Sequence, residues 1–153
     1  FIEIANRFTE RKDVKFVLIG DGSLKSKYAA GNKHIYFLGF RNDIAAILSS
    51  LDVFLFTSKN EGFGQVLLEA MAAKVPVLSS NFPAAHEIIE HEKNGFIYKD
   101  VDNAVSIIDK ILTTHDLRLT TISNAFNFVQ QFDISLMNKK ILNTYNLILT
   151  TTK

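Results

Sequence analysis

Thr-Ser-Lys-Asn-Glu-Gly-Phe-Gly-Gln-Val-Leu-Leu-Glu-Ala-Met-Ala-Ala-Lys-Val-Pro-Val-Leu-Ser, residues 57–79, decides the reading of this chain. The apolar run Asp52 to Phe56 before it reads as a buried strand, by its length and its Val and Phe content. Ser58 and Asn60 are turn formers and candidate helix caps, and Gly62 and Gly64 flank Phe63. Gln65 to Ala73 is made mostly of good helix formers. A strand therefore feeds a glycine-bearing loop, and the loop opens a helix. Such a junction presents free backbone N–H groups and the positive end of a helix dipole above the sheet edge, which suits a phosphate.

Two carboxylates frame the junction. Glu61 sits in the loop and Glu69 follows about two helical turns later. Val66, Leu67, Leu68, Ala70, Met71, Ala72 and Ala73 make the helix nearly all apolar, so it should be largely buried. A carboxylate on such a helix is costly to bury without a hydrogen-bond partner. Glu69 shares a face with Gln65, and that face should point up towards the loop. In the bland reading Glu69 occupies a narrow solvated stripe and Glu61 is an ordinary loop acid. Two acids bracketing Gly-Phe-Gly at a helix start favour a binding role instead.

Glu61-Gly62-Phe63-Gly64 through Glu69, followed by Ala-Met-Ala-Ala-x-Val-Pro-Val, resembles the E-x7-E signature of retaining glycosyltransferases of family four. The likeness extends, more loosely, from about Phe16 to Tyr145. It implies the C-terminal half of a two-domain GT-B enzyme, which binds a nucleotide sugar. By this resemblance Glu69 holds the ribose hydroxyls and Glu61 holds hydroxyls of the transferred sugar as the catalytic carboxylate, without acting as a nucleophile. Gly62, Phe63, Gly64 and Gln65 then offer backbone N–H groups to the diphosphate. The donor is a UDP- or GDP-linked sugar, with no further cofactor and no metal. The implied reaction is transfer with retention, in polysaccharide, lipopolysaccharide or glycolipid synthesis. Its transition state is oxocarbenium-like, and the leaving diphosphate is stabilised electrostatically. The setting implied is cytoplasmic, with the full-length enzyme associating with the inner face of a membrane.

Composition narrows the alternatives. At 153 residues and 47% apolar, the chain is one domain's worth and can bury a core. A formal net charge of +1 with no basic stripe argues against nucleic acid as a partner. Zero cysteines exclude thiol catalysis, disulfides and cysteine-bound zinc. The first residue is Phe1 rather than Met, so we expect the natural chain to begin earlier.

Outward from the signature, Phe1 to Arg11 has helical apolar spacing. Val14 to Ile19 reads as a strand, with Gly20-Asp21-Gly22 as its turn, where a nucleotide could approach the backbone. Lys25 stands where a dinucleotide fingerprint would need its third glycine. Ser23 is a candidate cap for a helix running to about Ala30. His34 to Leu38 is the next strand, followed by Gly39-Phe40-Arg41 and a helix from Asn42 or Asp43 to Ser50. In the family this turn lies beside the donor's base, so Phe40 and Arg41 are either base neighbours or, respectively, core and solvated side chains.

Val75 to Leu78 reads as a strand with Ser79-Ser80-Asn81 as its exit, and Phe82 to His91 as a loop and short helix. Asn94-Gly95 turns into the strand Phe96 to Tyr98, and Asp100 to Leu112 is an amphipathic helix. Helices follow over Leu117 to Phe132 and Ile134 to Leu149. By the resemblance, the last of these (residues 133–149) crosses back to the partner domain. Phe126, Phe128 and Phe132 read as packing residues.

Strands alternating with helices predict an α/β, Rossmann-like parallel sheet with helices on both faces, in one domain over residues 1–153. Three departures from the family pattern stand out. The Arg and Lys that neutralise the diphosphate precede the helix at residue 1 in the family, as does the N-terminal acceptor domain, and both lie outside this sequence. Lys74 replaces a helix-ending glycine, which predicts a left-handed residue or a different cap. Phe82 to His86 replaces a glycine-pair loop, leaving donor identity open and His86 either a ligand contact or a surface residue. A non-catalytic nucleotide-binding module and a sugar-nucleotide epimerase of the same architecture remain the alternatives.

Overall fold

Each short apolar run becomes a strand, because parallel strands covered by helices can afford few polar side chains. The computed structural model describes residues 1–29, 31, 32 and 34–151. Among them the strands are β1 (Phe16–Ile19), β2 (Ile35–Gly39), β3 (Phe54–Phe56), β4 (Val77–Ser80) and β5 (Phe96–Tyr98). The helices are α1 (Ile2–Asn6), α2 (Lys25–Ala29), α3 (Ile44–Ser49), α4 (Gln65–Ala72), α5 (Ala85–Ile88), α6 (Val101–Thr113), α7 (His115–Val129) and α8 (Ile134–Thr151). A 3-10 turn, Gln130–Phe132, joins the last two. Ala30, the expected end of α2, lies outside the described residues.

β1 pairs in parallel with β2, placing Phe16 opposite Ile35. β3, β4 and β5 form a second parallel set in that order, with Phe54 opposite Val77 and Leu78 opposite Phe96. Alternation along the strands divides the core into two layers. Val77 and Ile97 face Leu48, Leu67, Met71 and Ile88 of α3, α4 and α5. Leu78 and Phe96 face Ile4, Ala104, Ile107 and Ile111 of α1 and α6, together with Phe16 and Ile35. Helices therefore cover both faces of the β3–β4–β5 set, as the alternating pattern predicts.

Several boundaries differ from the sequence reading. α1 stops at Asn6, well short of Arg11. β4 starts two residues late, because Pro76 has no N–H to give the ladder, and it takes in Ser79 and Ser80. Their hydroxyls are satisfied at home: Ser79 Oγ donates to the Ser80 carbonyl at 3.0 Å, and Ser80 Oγ donates to the Ser58 carbonyl. α6 opens on a side-chain cap, with the Asn103 N–H donating to Asp100 Oδ1 at 2.8 Å.

At the end of α4, Lys74 takes the left-handed conformation, φ +60. The Lys74 N–H donates to the Met71 carbonyl and the Val75 N–H to the Ala70 carbonyl, both at 3.1 Å. These are the paired closing bonds of a Schellman cap, built around lysine where glycine is usual. Lys74 Nζ lies 4.7 Å from the centre of the Phe126 ring, which offsets part of the strain.

Candidate functional site

α4 rises from the loop after β3. Gly64 is its N-cap at φ +78 and ψ +41, and no side chain caps the first turn. Ser58 and Asn60, expected as possible caps, do other work: Ser58 Oγ donates to the Asn60 carbonyl at 3.3 Å. Gly64 is buried, and a Cβ on it would lie 3.2 Å from Leu67 Cδ1 and 3.7 Å from Phe82 Cζ. The left-handed backbone and this close approach together require glycine. Gly62 differs. It is exposed, with nothing within 4 Å of where its Cβ would stand. Packing does not demand glycine there, so its backbone is open to an approaching ligand.

Phe63 is 46% exposed, and its ring lies 6.0 Å from Phe132, which in turn lies 5.4 Å from Phe128. The loop thus leans on the segment between α7 and α8. With Lys74 over Phe126, all three of these later phenylalanines pack as the sequence predicts.

Glu69 is exposed, on one stripe with Gln65 and Ala72, while Leu67, Leu68, Ala70 and Met71 face the core. It lines an open groove of about 500 Å³ with Ile44, Ala45, Leu48 and Ser49 of α3 and Ala72 and Ala73 behind it. Glu61 is exposed on the loop and is not among the residues lining that groove. Among the described residues, neither carboxylate is held by a protein donor.

The turn after β2 resolves one choice left open by the sequence. Phe40 is 78% exposed, so it is not a core residue. Arg41 is not merely solvated: its Nε and Nη2 grip Asp43 Oδ1 and Oδ2 at 2.8 and 2.5 Å. This fork raises the pKa of Arg41 and holds the Asp43 carboxyl below its ordinary range. It also takes up the carboxylate of Asp43, which occupies the N-cap of α3 without making a side-chain cap bond.

Gly39 and Gly20 are joined directly. The Gly20 N–H donates to the Gly39 carbonyl at 2.8 Å, with φ +122 at Gly20 and +69 at Gly39. Gly22 bonds through its N–H to Asp21 Oδ1 at 2.9 Å. Lys25 Nζ lies 3.5 Å from Asp21 Oδ2, and 3.0 Å from where a Cβ on Gly39 would be. Sequence reasoning treated Lys25 only as a missing glycine. The signal for its position was the i, i+4 spacing from Asp21, which brings the ammonium back over the turn. In the first turn of α5, His86 Nε2 meets Asn81 Oδ1 of the loop after β4 at 2.7 Å, so this exposed ring is held in place.

The loops thus come in two sets. Gly20, Gly22, Gly39 and Lys25 gather where β1 and β2 end. Glu61 to Gln65 gather where β3 ends, tied to β4 through the Ser58–Ser80 bond. The groove that Glu69 lines runs along α3, which begins just after Phe40 and Arg41 in sequence.

The sequence profile of the family described as glycosyl transferases group 1 matches residues 1–116. The O-antigen biosynthesis glycosyltransferase WclY of Escherichia coli is 30% identical over 151 residues, covering 94% of this chain and 42% of WclY. The crystal structure of Anabaena Alr3699/HepE in complex with UDP and glucose superposes with a TM-score of 0.83 at 28% identity, over 95% of this chain and 44% of HepE. The C-terminal domain of the group 1 glycosyl transferase LpcC from Francisella tularensis gives a TM-score of 0.75 at 29% identity, over 86% of this chain and 76% of that domain. This chain therefore spans less than half the length of the full-length relatives it matches. No helix among its described residues is long and apolar enough to cross a membrane.

Proposed function

The chain belongs to the group 1 glycosyl transferases, and we propose that it is the donor-binding half of an enzyme that moves a sugar from a nucleoside diphosphate to an acceptor with retention. The observation that carries this reading is the start of α4. Its first turn has no side-chain cap, its loop holds an exposed glycine that packing does not require, and two carboxylates without protein partners stand on either side.

Each part has a task in that reaction. The N–H groups of Gly62, Phe63, Gly64 and Gln65, with the helix dipole behind them, offset the charge that builds on the leaving diphosphate. Glu69 accepts hydrogen bonds from the two ribose hydroxyls, since one carboxylate can take both. Glu61 accepts from hydroxyls of the transferred sugar and orients its anomeric carbon. Phe40, exposed next to the fixed Arg41–Asp43 fork, offers a face to the base, with Gly39 beside it. Gly20 and Gly22 lie on the same side of the donor.

The acceptor would bind a second domain, towards which α8 points its exposed Ile134, Met137, Ile141 and Tyr145. The relatives' O-antigen role suggests a glycolipid or polysaccharide acceptor and work at the cytoplasmic face of a membrane.

Calorimetry on the full-length protein tests the reading. UDP or GDP should bind, and Glu69→Ala should weaken binding at least about tenfold, the scale of lost charge-assisted hydrogen bonds. Unchanged affinity in the variant would remove the assignment.

A further inference from the structure

We propose that Ser80, at the end of β4, is a positioning residue: its hydroxyl fixes the loop that bears Glu61 and so sets how the site meets the transferred sugar. This rests on the donor reading above and deepens it, by separating what places the sugar's carboxylate from what places the ribose's.

Glu61 belongs to the stretch that the backbone holds least. β3 and β4 stay in register only as far as Phe56 opposite Ser79. Among the described residues, no backbone-to-backbone hydrogen bond involves residues 58–63. Side chains hold this stretch instead. The Ser80 hydroxyl donates to the Ser58 carbonyl, just beyond the last ladder pair. The Ser58 hydroxyl closes onto the Asn60 carbonyl at 3.3 Å, directly before Glu61. After Glu61, the Phe63 ring rests on Phe132 at 6.0 Å. Glu61 is thus carried between two side-chain anchors, and Ser80 is the buried one.

Packing alone does not call for a serine at this place. All four residues of β4 are buried, and a parallel strand covered on both faces favours apolar side chains. A hydroxyl there is unfavourable unless it is hydrogen-bonded. Ser79 gives its proton to the adjacent Ser80 carbonyl, a local bond. Ser80 gives its own to a residue 22 positions earlier, in the loop of the site. Glu69 has no such dependence. Its helix begins at Gly64, set against Leu67 and Phe82, and ends in the Schellman cap at Lys74. Loss of the Ser80 hydroxyl should therefore loosen Glu61 and leave Glu69 in place.

Valine and threonine share a shape and differ by the hydroxyl, so Ser80→Val and Ser80→Thr separate the bond from the packing. In the nucleotide-free full-length protein, NMR order parameters of the amides of residues 59–62 should be about 0.85 in the parent and in Ser80→Thr. In Ser80→Val and Ser80→Ala they should fall below about 0.6. Calorimetry with UDP should give the same affinity within about twofold in all four proteins. The sugar is probed by hydrolysis of UDP-glucose: water's oxygen bonds the anomeric carbon, the diphosphate leaves with the bonding pair, and water's proton passes to solvent. Its turnover should fall about ten- to a hundredfold in Ser80→Val and Ser80→Ala, the scale of a misplaced group, and stay within about threefold in Ser80→Thr. In a Glu61→Ala background, Ser80→Ala should lower turnover no further. Equal order parameters in the parent and Ser80→Ala, or a threonine no better than valine, would overturn the proposal. So would UDP affinity falling in step with turnover, since the whole site would then have lost its shape. A parent that binds no UDP would instead count against the donor reading, and the order parameters would still decide whether Ser80 holds the loop.

Discussion

The two strand sets are finished to different degrees. In the β3–β4–β5 part every residue of β4 is buried, with Val77 facing one core layer and Leu78 the other. In the β1–β2 part only one face is closed: Ile35 is buried, while Tyr36 and Leu38 are 51% and 42% exposed. The more complete part carries the signature loop, and its exit loops are braced by buried neighbours. The glycine turns of the other part rest on each other and on the tip of a lysine. A glycine can thus be required by packing in one part and by backbone conformation alone in the other.

A pair of substitutions would break that contrast if it is wrong. Gly64→Ala and Gly39→Ala both force alanine into the left-handed region, at about 1–2 kcal/mol each. At Gly64 the new methyl also meets Leu67 and Phe82 in the core, whereas at Gly39 it meets only the mobile end of Lys25. Thermal unfolding of the full-length protein should show a drop of about 5 °C for Gly64→Ala and about half that for Gly39→Ala. Equal drops would mean that the two glycine turns are equally braced.

The same contrast explains what the sequence revealed. Strands buried on both faces read as unbroken apolar runs, so Val77-Leu78 and Phe96 to Tyr98 were legible at once. That a glycine-bearing loop opens α4 was legible from glycines placed just before good helix formers, but the left-handed conformation of Gly64 came only with the structure. The inclusion of Ser79 and Ser80 in β4 was not, because their hydroxyls find partners in carbonyls brought near by folding, one of them 22 residues away. The grip of Arg41 on Asp43 was missed for a similar reason: it depends on loop geometry, which residue spacing does not reveal. The solvated stripe through Gln65 and Glu69 followed from helical period, but the relation of Glu61 to that stripe depends on the path of an irregular loop.

The far end of α4 sharpens the comparison at smaller amplitude, since Lys74 holds a left-handed position without being glycine. Lys74→Gly relieves the strain, worth about 1 kcal/mol, but gives up the contact with Phe126, worth about 0.5–1 kcal/mol at an exposed site. The two nearly cancel, so its thermal midpoint should stay within about 2 °C of the parent. Lys74→Ala keeps the strain and loses the contact, so it should be the least stable of the three. A lysine no better than alanine would show that the ring contributes nothing.

The smallest effect expected belongs to the segment that follows α1, which ions fasten to α6. Arg11 holds Asp13 through Nε and Nη2 at 2.9 and 2.8 Å and reaches Asp109 on α6 at 3.0 Å. The hydrogen bond from Arg11, aided by its charge, lowers the Asp13 carboxyl to about 2. A carboxylate whose pKa is lower folded than unfolded stabilises fully above its unfolded value, about 3.9, and loses that contribution as pH falls through about 2. The group is exposed and screened by salt, so the midpoint should hardly move above pH 4. The titration itself is the sensitive readout. Carboxyl NMR should place Asp13 near 2 in the parent and return it towards 3.9 in Arg11→Ala. A parent value already near 3.9 would mean that the fork does not persist in solution, leaving α1 held to α6 by its apolar contacts and by Arg7–Asp102.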